Sequence, residues 1–135
     1  MKAHWLMLAL LLACTISTQP EDPVWNKQAC DHCKMLVSDK RYAASSLDAR
    51  GQRLFFDDIG CMVAHESDHP PVKAHWVRDE ASGSWVEADK AFFRPGASTP
   101  MDFGYSGHKA TPGISYRELQ RALADAEEDR HAERD

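Results

Sequence analysis

Two thiols stand three apart in Cys30-Asp31-His32-Cys33, a third follows at Cys61, and Met35 and Met62 lie one or two residues beyond a cysteine. Two cysteines at this spacing reach one ion or one another, so the fold must close around a knuckle at residues 30–35. A fourth cysteine, Cys14, ends an apolar leader. Once it is set aside, an odd number of thiols remains, and they cannot all pair within one chain. At least one is free, metal-bound or bridged to a partner.

The leader is Met1 to Ala13: Lys2 is followed by a short uncharged apolar run that ends on a small residue. That is the layout of a secretory signal, and it is shorter than the roughly 20 apolar residues a membrane-spanning helix needs. Leu11-Leu12-Ala13-Cys14 is similar to a bacterial lipobox. The resemblance implies cleavage before Cys14, acylation of that cysteine, and a protein tethered to the periplasmic side of a membrane. Thr15 follows, not Asp, which favours the outer membrane. A plain export signal or an uncleaved anchor is the alternative.

Residues 14–27 then read as lipid anchor and flexible tether, with Pro20 and Pro23 in a polar stretch. Residues 28–126 read as one domain and residues 127–135 as a charged, fraying tail. A chain of 135 residues suits a single domain. With 21 acidic against 16 basic residues the net charge is -5, and the basic surface a nucleic acid requires is missing.

Periodicity predicts an α+β fold of two similar ββαβ-like halves packed as one compact unit. In the first, Leu36-Val37 is a short strand, and residues 42–47 and 52–56 are strands around an Asp48-Ala49-Arg50-Gly51 turn. Asp57 or Asp58 caps a helix through Glu66. In the second, residues 72–79, Trp85-Val86 and 91–93 are strands, and residues 95–113 are largely loop. Ser115, with Glu118 at capping-box spacing, starts a last helix.

Soft donors gather in three places. In extended chain Cys33 and Met35 share a face, and a thiolate beside a thioether suits Cu(I) better than zinc. Cys61-Met62 adds a second sulfur pair, with His65 one helical turn after Cys61. Met101 lies in the Gly/Pro-rich stretch, where a large apolar side chain has little core to fill. Each also has a plainer reading. CxxC is often a redox pair, Met35, Cys61 and Met62 suit a core, and His65 suits a solvent-facing helix position.

Cys33-x-Met35, Tyr42-Ala43-Ala44, Phe55-Phe56-Asp57-Asp58-Ile59-Gly60-Cys61-Met62 and Trp85-Val86-Glu87-Ala88-Asp89-Lys90-Ala91-Phe92-Phe93 occur in that order. Together with Met101-Asp102-Phe103-Gly104 and the lipobox, they resemble the NosL family of copper-binding lipoproteins. The resemblance implies a monomeric, lipid-anchored Cu(I) metallochaperone with no enzymatic activity of its own. It would deliver copper for maturation of nitrous oxide reductase in denitrification, or to another copper acceptor, in concert with a membrane transporter complex. Carried over by motif, Cys33, Met35 and Met101 are the copper ligands, with Cys30, Cys61, Met62 and His65 as secondary donors. Two positions depart from the family pattern. Lys34 stands where the family has a glycine turn, and Pro100 and Asp102 flank Met101 in place of glycines. The rival readings are a structural zinc module in which Cys30, Cys33, Cys61 and His65 form a Cys3His site, and a thiol oxidoreductase using Cys30 and Cys33.

Overall fold

A computed structural model describes residues 17–134. The leader and Cys14 lie outside the described residues. Strands β1 (Ala44–Leu47) and β2 (Arg53–Phe56) form a hairpin. Helix α1 (Ile59–Ser67) follows, then β3 (Ala74–Arg78) and β4 (Trp85–Glu87). A single 3₁₀ turn (Ala88–Lys90) leads to β5 (Phe92–Pro95) and β6 (Tyr105–His108), and α2 (Tyr116–Ala132) closes the order. The fold is α+β. Four strands make an antiparallel sheet in the order β2-β1-β3-β4, and β5 and β6 pair as a second, two-stranded sheet. The order ββα therefore occurs twice, with β3 and β4 between the two occurrences. No helix among the described residues is long and apolar enough to cross a membrane.

The hairpin forms where the turn chemistry places it. Asp48 Oδ1 accepts from the backbone N–H of Arg50 and of Gln52, and Gly51 takes the left-handed conformation at φ 85. Asp58, not Asp57, caps α1, its carboxylate accepting from Gly60 N at 2.9 Å. Ser115 and Glu118 close a complete capping box at the start of α2. The core gathers Val37, Ala43, Phe56, Ile59, Met62, Val77, Phe93 and Leu119, all fully buried, from both sheets and both helices.

Residues 95–113 are largely loop, as expected, with the short strand β6 inside them. β6 forms there because Gly107 lets the chain approach β3, and a Cβ at that position would stand 2.9 Å from Arg78 O. Leu36 makes only an isolated bridge to Ala29, not a strand. The helix runs past Glu127 to Ala132 instead of fraying, with Glu127 paired to Arg130 and to His131 on its own surface. The stretch read as a tether is also held from Ser17 onward. Arg53 Nη2 donates to Ser17 O and Gln19 O, Asp22 accepts from Arg78 and from Trp85 Nε1, and the Arg78 guanidinium stacks on Trp25 and Trp85.

One polar network ties the layers together. His75 on β3 meets Glu66 of α1 through Nδ1 and Asp89 of the 3₁₀ turn through Nε2, both at 3.1 Å, and Tyr116 of α2 donates to Glu66 at 2.6 Å. Burial disfavours the His75 imidazolium, but the hydrogen bond and charge of Glu66, then those of Asp89, outweigh it and raise the pKa. A raised folded pKa stabilises fully below the unfolded value of about 6.5 and loses that contribution as pH climbs through the folded value. The stability advantage of wild type over His75→Gln should therefore shrink as pH is raised from about 6, measured by urea unfolding. An advantage that grows with pH would contradict the charged state assigned to His75.

Candidate metal centre

Three chain segments converge on the thiols. Residues 30–35 form a tight turn in which Cys30 N donates to Met35 O at 2.7 Å and Lys34 N to Cys30 O at 3.1 Å. The knuckle is seated on β2 from both sides of one residue: Asp31 N donates to Phe55 O, and Phe55 N donates to Asp31 Oδ2, each at 2.8 Å. Strand β2 then delivers Asp57, and the first turn of α1 delivers Cys61. The result is a group of Cys30, Cys33, Asp57 and Cys61 whose ligand atoms all lie within 4.8 Å of one another. Among the described residues it is the one group of three or more His, Cys, Asp and Glu side chains placed to hold a metal ion.

The turn carries a lysine at its left-handed position. Lys34 adopts φ 69, the left-handed region, and its ammonium returns to Asp31 O at 2.8 Å. A non-glycine residue there costs roughly 1 kcal/mol. Lys34→Gly should accordingly raise stability by a few tenths to about 1 kcal/mol in chemical denaturation, with the knuckle unchanged. A loss of stability would mean that the lysine contact outweighs the backbone strain.

The donors differ in burial and charge. Cys30 and Cys61 are fully buried, Asp57 nearly so, and Cys33 is half-buried. All three cysteines are free. The thiol of Cys61 hydrogen-bonds to Cys30 and holds its pKa down to about 6. Backbone hydrogen bonds from Cys33, Asp57 and His32 help, against the opposing effect of burial. The same bond, followed by burial, keeps Cys61 well above the usual thiol range. Burial pushes Cys33 up to about 11, aided by the hydrogen bond it donates to Asp57 Oδ1 at 3.2 Å. Cys30 is thus the thiol of the group most readily ionised, and Cys33 and Cys61 are held toward the thiol form. Among the three thiols the hydrogen bonding lowers the pKa of Cys30, while Cys33 is the one at the solvent side of the group.

The remaining candidates fall in different places. Met35 is 60% exposed and Met101 39%, so both thioethers face solvent and neither is core filler. Residues 33–35 are not extended, because the left-handed Lys34 breaks the alternation that would align Cys33 with Met35. Met62 is fully buried in the hydrophobic core beside Cys61. His65 does not join the thiol group: its ring stacks on His69 with centroids 3.8 Å apart and tilts against Phe56. Asp57 takes the fourth place that the Cys3His reading gave to His65. The sequence shows Asp57 only as a possible helix cap, and Asp58 beside it has that role.

Met101 sits on an anchored loop. Its N–H donates to Asp58 Oδ2 at 2.9 Å, Asp102 N donates to Thr99 O, and Gly104 N donates to Thr99 Oγ1. Asp58 thus uses one oxygen on α1 and the other on Met101, which fixes the loop to the helix end that bears Cys61.

No family model, curated protein or solved structure matches this chain.

Proposed function

We propose that the protein is a lipid-anchored Cu(I) metallochaperone, carrying copper to a maturing copper enzyme, with nitrous oxide reductase the first candidate acceptor. The observation that carries the reading is the convergence of three thiols, from two separate segments, on one point with Cys33 at the solvent side. Soft sulfur donors favour Cu(I). The Cys30 thiolate supplies the compensating charge, and Cys33 is the thiol an incoming ligand reaches first. The exposed Met35 and Met101 thioethers are neutral donors that exchange readily. Asp57, a hard oxygen donor, serves by hydrogen bonding to Cys33, which keeps that thiol oriented and protonated until the cargo displaces the proton. The resemblance to NosL, with the lipobox ending at Cys14, supports the periplasmic placement and the acceptor.

The test is anaerobic titration of reduced protein with Cu(I) against a competing chelator. One Cu(I) per chain is expected, lost in Cys33→Ser and weakened in Met101→Leu. Unchanged affinity in Cys33→Ser would end the proposal.

The carboxylate in the group favours a second reading. Zinc accepts three thiolates and one carboxylate, so a structural Cys3Asp zinc module replaces the Cys3His version. Proton counting separates the two. The pKa of Cys30 is lowered and those of Cys33 and Cys61 are raised, so a three-thiolate zinc site must draw protons from both Cys33 and Cys61. Cu(I) held by fewer thiolates releases fewer. The thiol oxidoreductase reading has less support, because Cys30 and Cys33 lie in a turn that no helix follows, and a helix N-terminus is what usually activates such a pair.

A further inference from the structure

The segment before the knuckle is a strap laid along the four-stranded sheet from one end to the other. At one end the carbonyls of Ser17 and Gln19 accept from Arg53, the residue that pairs with Leu47. At the other end Asp22 accepts from Arg78 at 2.9 Å and from Trp85 Nε1 at 2.8 Å, and Arg78 and Trp85 are themselves register partners. Pro23 is buried, Trp25 lies under the Arg78 guanidinium, and Asn26 N donates to Val37 O at 2.9 Å. The thiol group sits at the Asp22 end. Phe56 and Val77 both pair with Ala44, so Asp57 of the thiol group and Arg78 leave the sheet on the same side. From Arg53 to Asp57 the strand covers roughly 13 Å.

We propose that the strap orients the protein on a lipid surface: the end of the sheet at Ser17 rests on the headgroups, and the thiol group faces away from the bilayer. This rests on the acylation of Cys14 proposed above. Only Thr15 and Ile16 separate Cys14 from Ser17. They lie outside the described residues, but whatever their conformation, three residues of chain span at most about 11 Å. Acyl chains hold Cys14 at the membrane surface, so Ser17 stays within about one helix diameter of it. Fourteen free residues over 14–27 would reach about 20 Å on average and leave every face of the domain open to the bilayer, and the strap removes that reach. The end so placed carries the exposed Arg50 on the β1–β2 turn and the exposed Lys73, whose N–H donates to Leu47 O at 2.7 Å. Two acidic neighbours there are engaged within the fold: Asp48 accepts from the N–H groups of Arg50 and Gln52, and Glu21 pairs with Arg53. Anionic headgroups suit such an end. The thiols then meet partners arriving from the aqueous side.

The experiment uses the full chain extracted from bacterial membranes and placed in nanodiscs of phosphatidylethanolamine and phosphatidylglycerol. Intact mass is read first. A mass without acyl chains on Cys14 overturns the anchor, and this orientation with it. With the acyl chains present, a gadolinium chelate on a fraction of the headgroups should broaden the NMR amide signals of Arg50, Gly51 and Lys73 and spare those of Cys33, Lys34 and Met101. Equal or greater broadening at Cys33 and Lys34 overturns the orientation and leaves the anchor standing. A ten-residue Gly/Ser insertion between Ile16 and Ser17 keeps the strap and lengthens the reach. It should abolish the selective broadening, with unchanged far-UV circular dichroism and the same acyl mass. Selective broadening that persists in the inserted chain overturns the short strap-to-anchor reach as its cause.

Discussion

Cys30→Ser is expected to lower metal affinity by about 100-fold or more, beyond the 10–100-fold that outer-shell partners of a metal typically control. Cys30 is the one thiol of the group whose pKa is held down, to about 6, chiefly by the hydrogen bond with Cys61 and by backbone hydrogen bonds from Cys33, Asp57 and His32, against the effect of burial. A serine in that place keeps the hydrogen bonds but does not ionise, so the buried group loses the negative charge that compensates the cation. Met35→Leu provides the contrast. Its thioether is 60% exposed, carries no charge, and competes with water for any ion it binds, so its loss should cost far less. The measurement is a chelator competition run on both variants at one pH, with far-UV circular dichroism to show that each is folded. If Met35→Leu costs as much as Cys30→Ser, the cargo rests on the exposed thioether and not on the buried thiolate, and the order of ligand importance given above is reversed. Asp57→Asn adds a third point. It keeps the shape and removes the charge beside Cys33, so a loss like that of Cys30→Ser would make the carboxylate a direct ligand, as the zinc reading requires.

What the sequence conveyed about this centre depended on whether the information was local. The Cys30–Cys33 spacing is a local fact, and so are the caps: Asp58 and Ser115 start their helices where side-chain acceptors meet free backbone N–H groups. Strand and helix order was legible for the same reason. Strand β6 was not, because it depends on the absence of a side chain at Gly107 where the chain passes β3, a tertiary matter. The two methionines drew attention for a sound chemical reason, but their exposure is set by a left-handed lysine in one case and an anchored loop in the other. Asp57 was masked by its neighbour. Two adjacent aspartates before a helix look interchangeable as caps, and only the fold shows that one caps while the other turns toward the thiols. His65 erred in the opposite sense. Four residues after Cys61 is the right spacing to share a helix side, but His69 and Phe56 hold its ring elsewhere.

Gly60→Ala should be the most damaging single methyl in the protein. Gly60 lies in the first turn of α1, between the cap Asp58 and the ligand Cys61, and its backbone is ordinary helix, so conformation does not demand a glycine. Space does. A Cβ built there falls 1.9 Å from Phe103 Cγ and 2.4 Å from its Cβ, far inside any contact two carbons can keep. The near end of the phenylalanine is what collides, so a ring flip cannot relieve it, and residues 99–104 must move off the helix. That movement breaks the Met101 N–H bond to Asp58 and carries the thioether with it. Overpacking of this kind costs typically 1–3 kcal/mol, and here the lost hydrogen bond to a buried carboxylate adds to it. The expected result is a fall in stability of about 2–4 kcal/mol in urea unfolding. Gly60→Ala/Phe103→Ala should recover part of that loss by removing the collision. If Met101 is a ligand, the single variant should also mimic Met101→Leu in metal affinity, and the double variant should not restore it, because relieving the clash does not rebuild the Phe103 contact that seats the loop. A Gly60→Ala protein with wild-type stability would mean that the loop is not seated on α1 in solution, and Met101 would then lose its fixed place against the helix that bears Cys61.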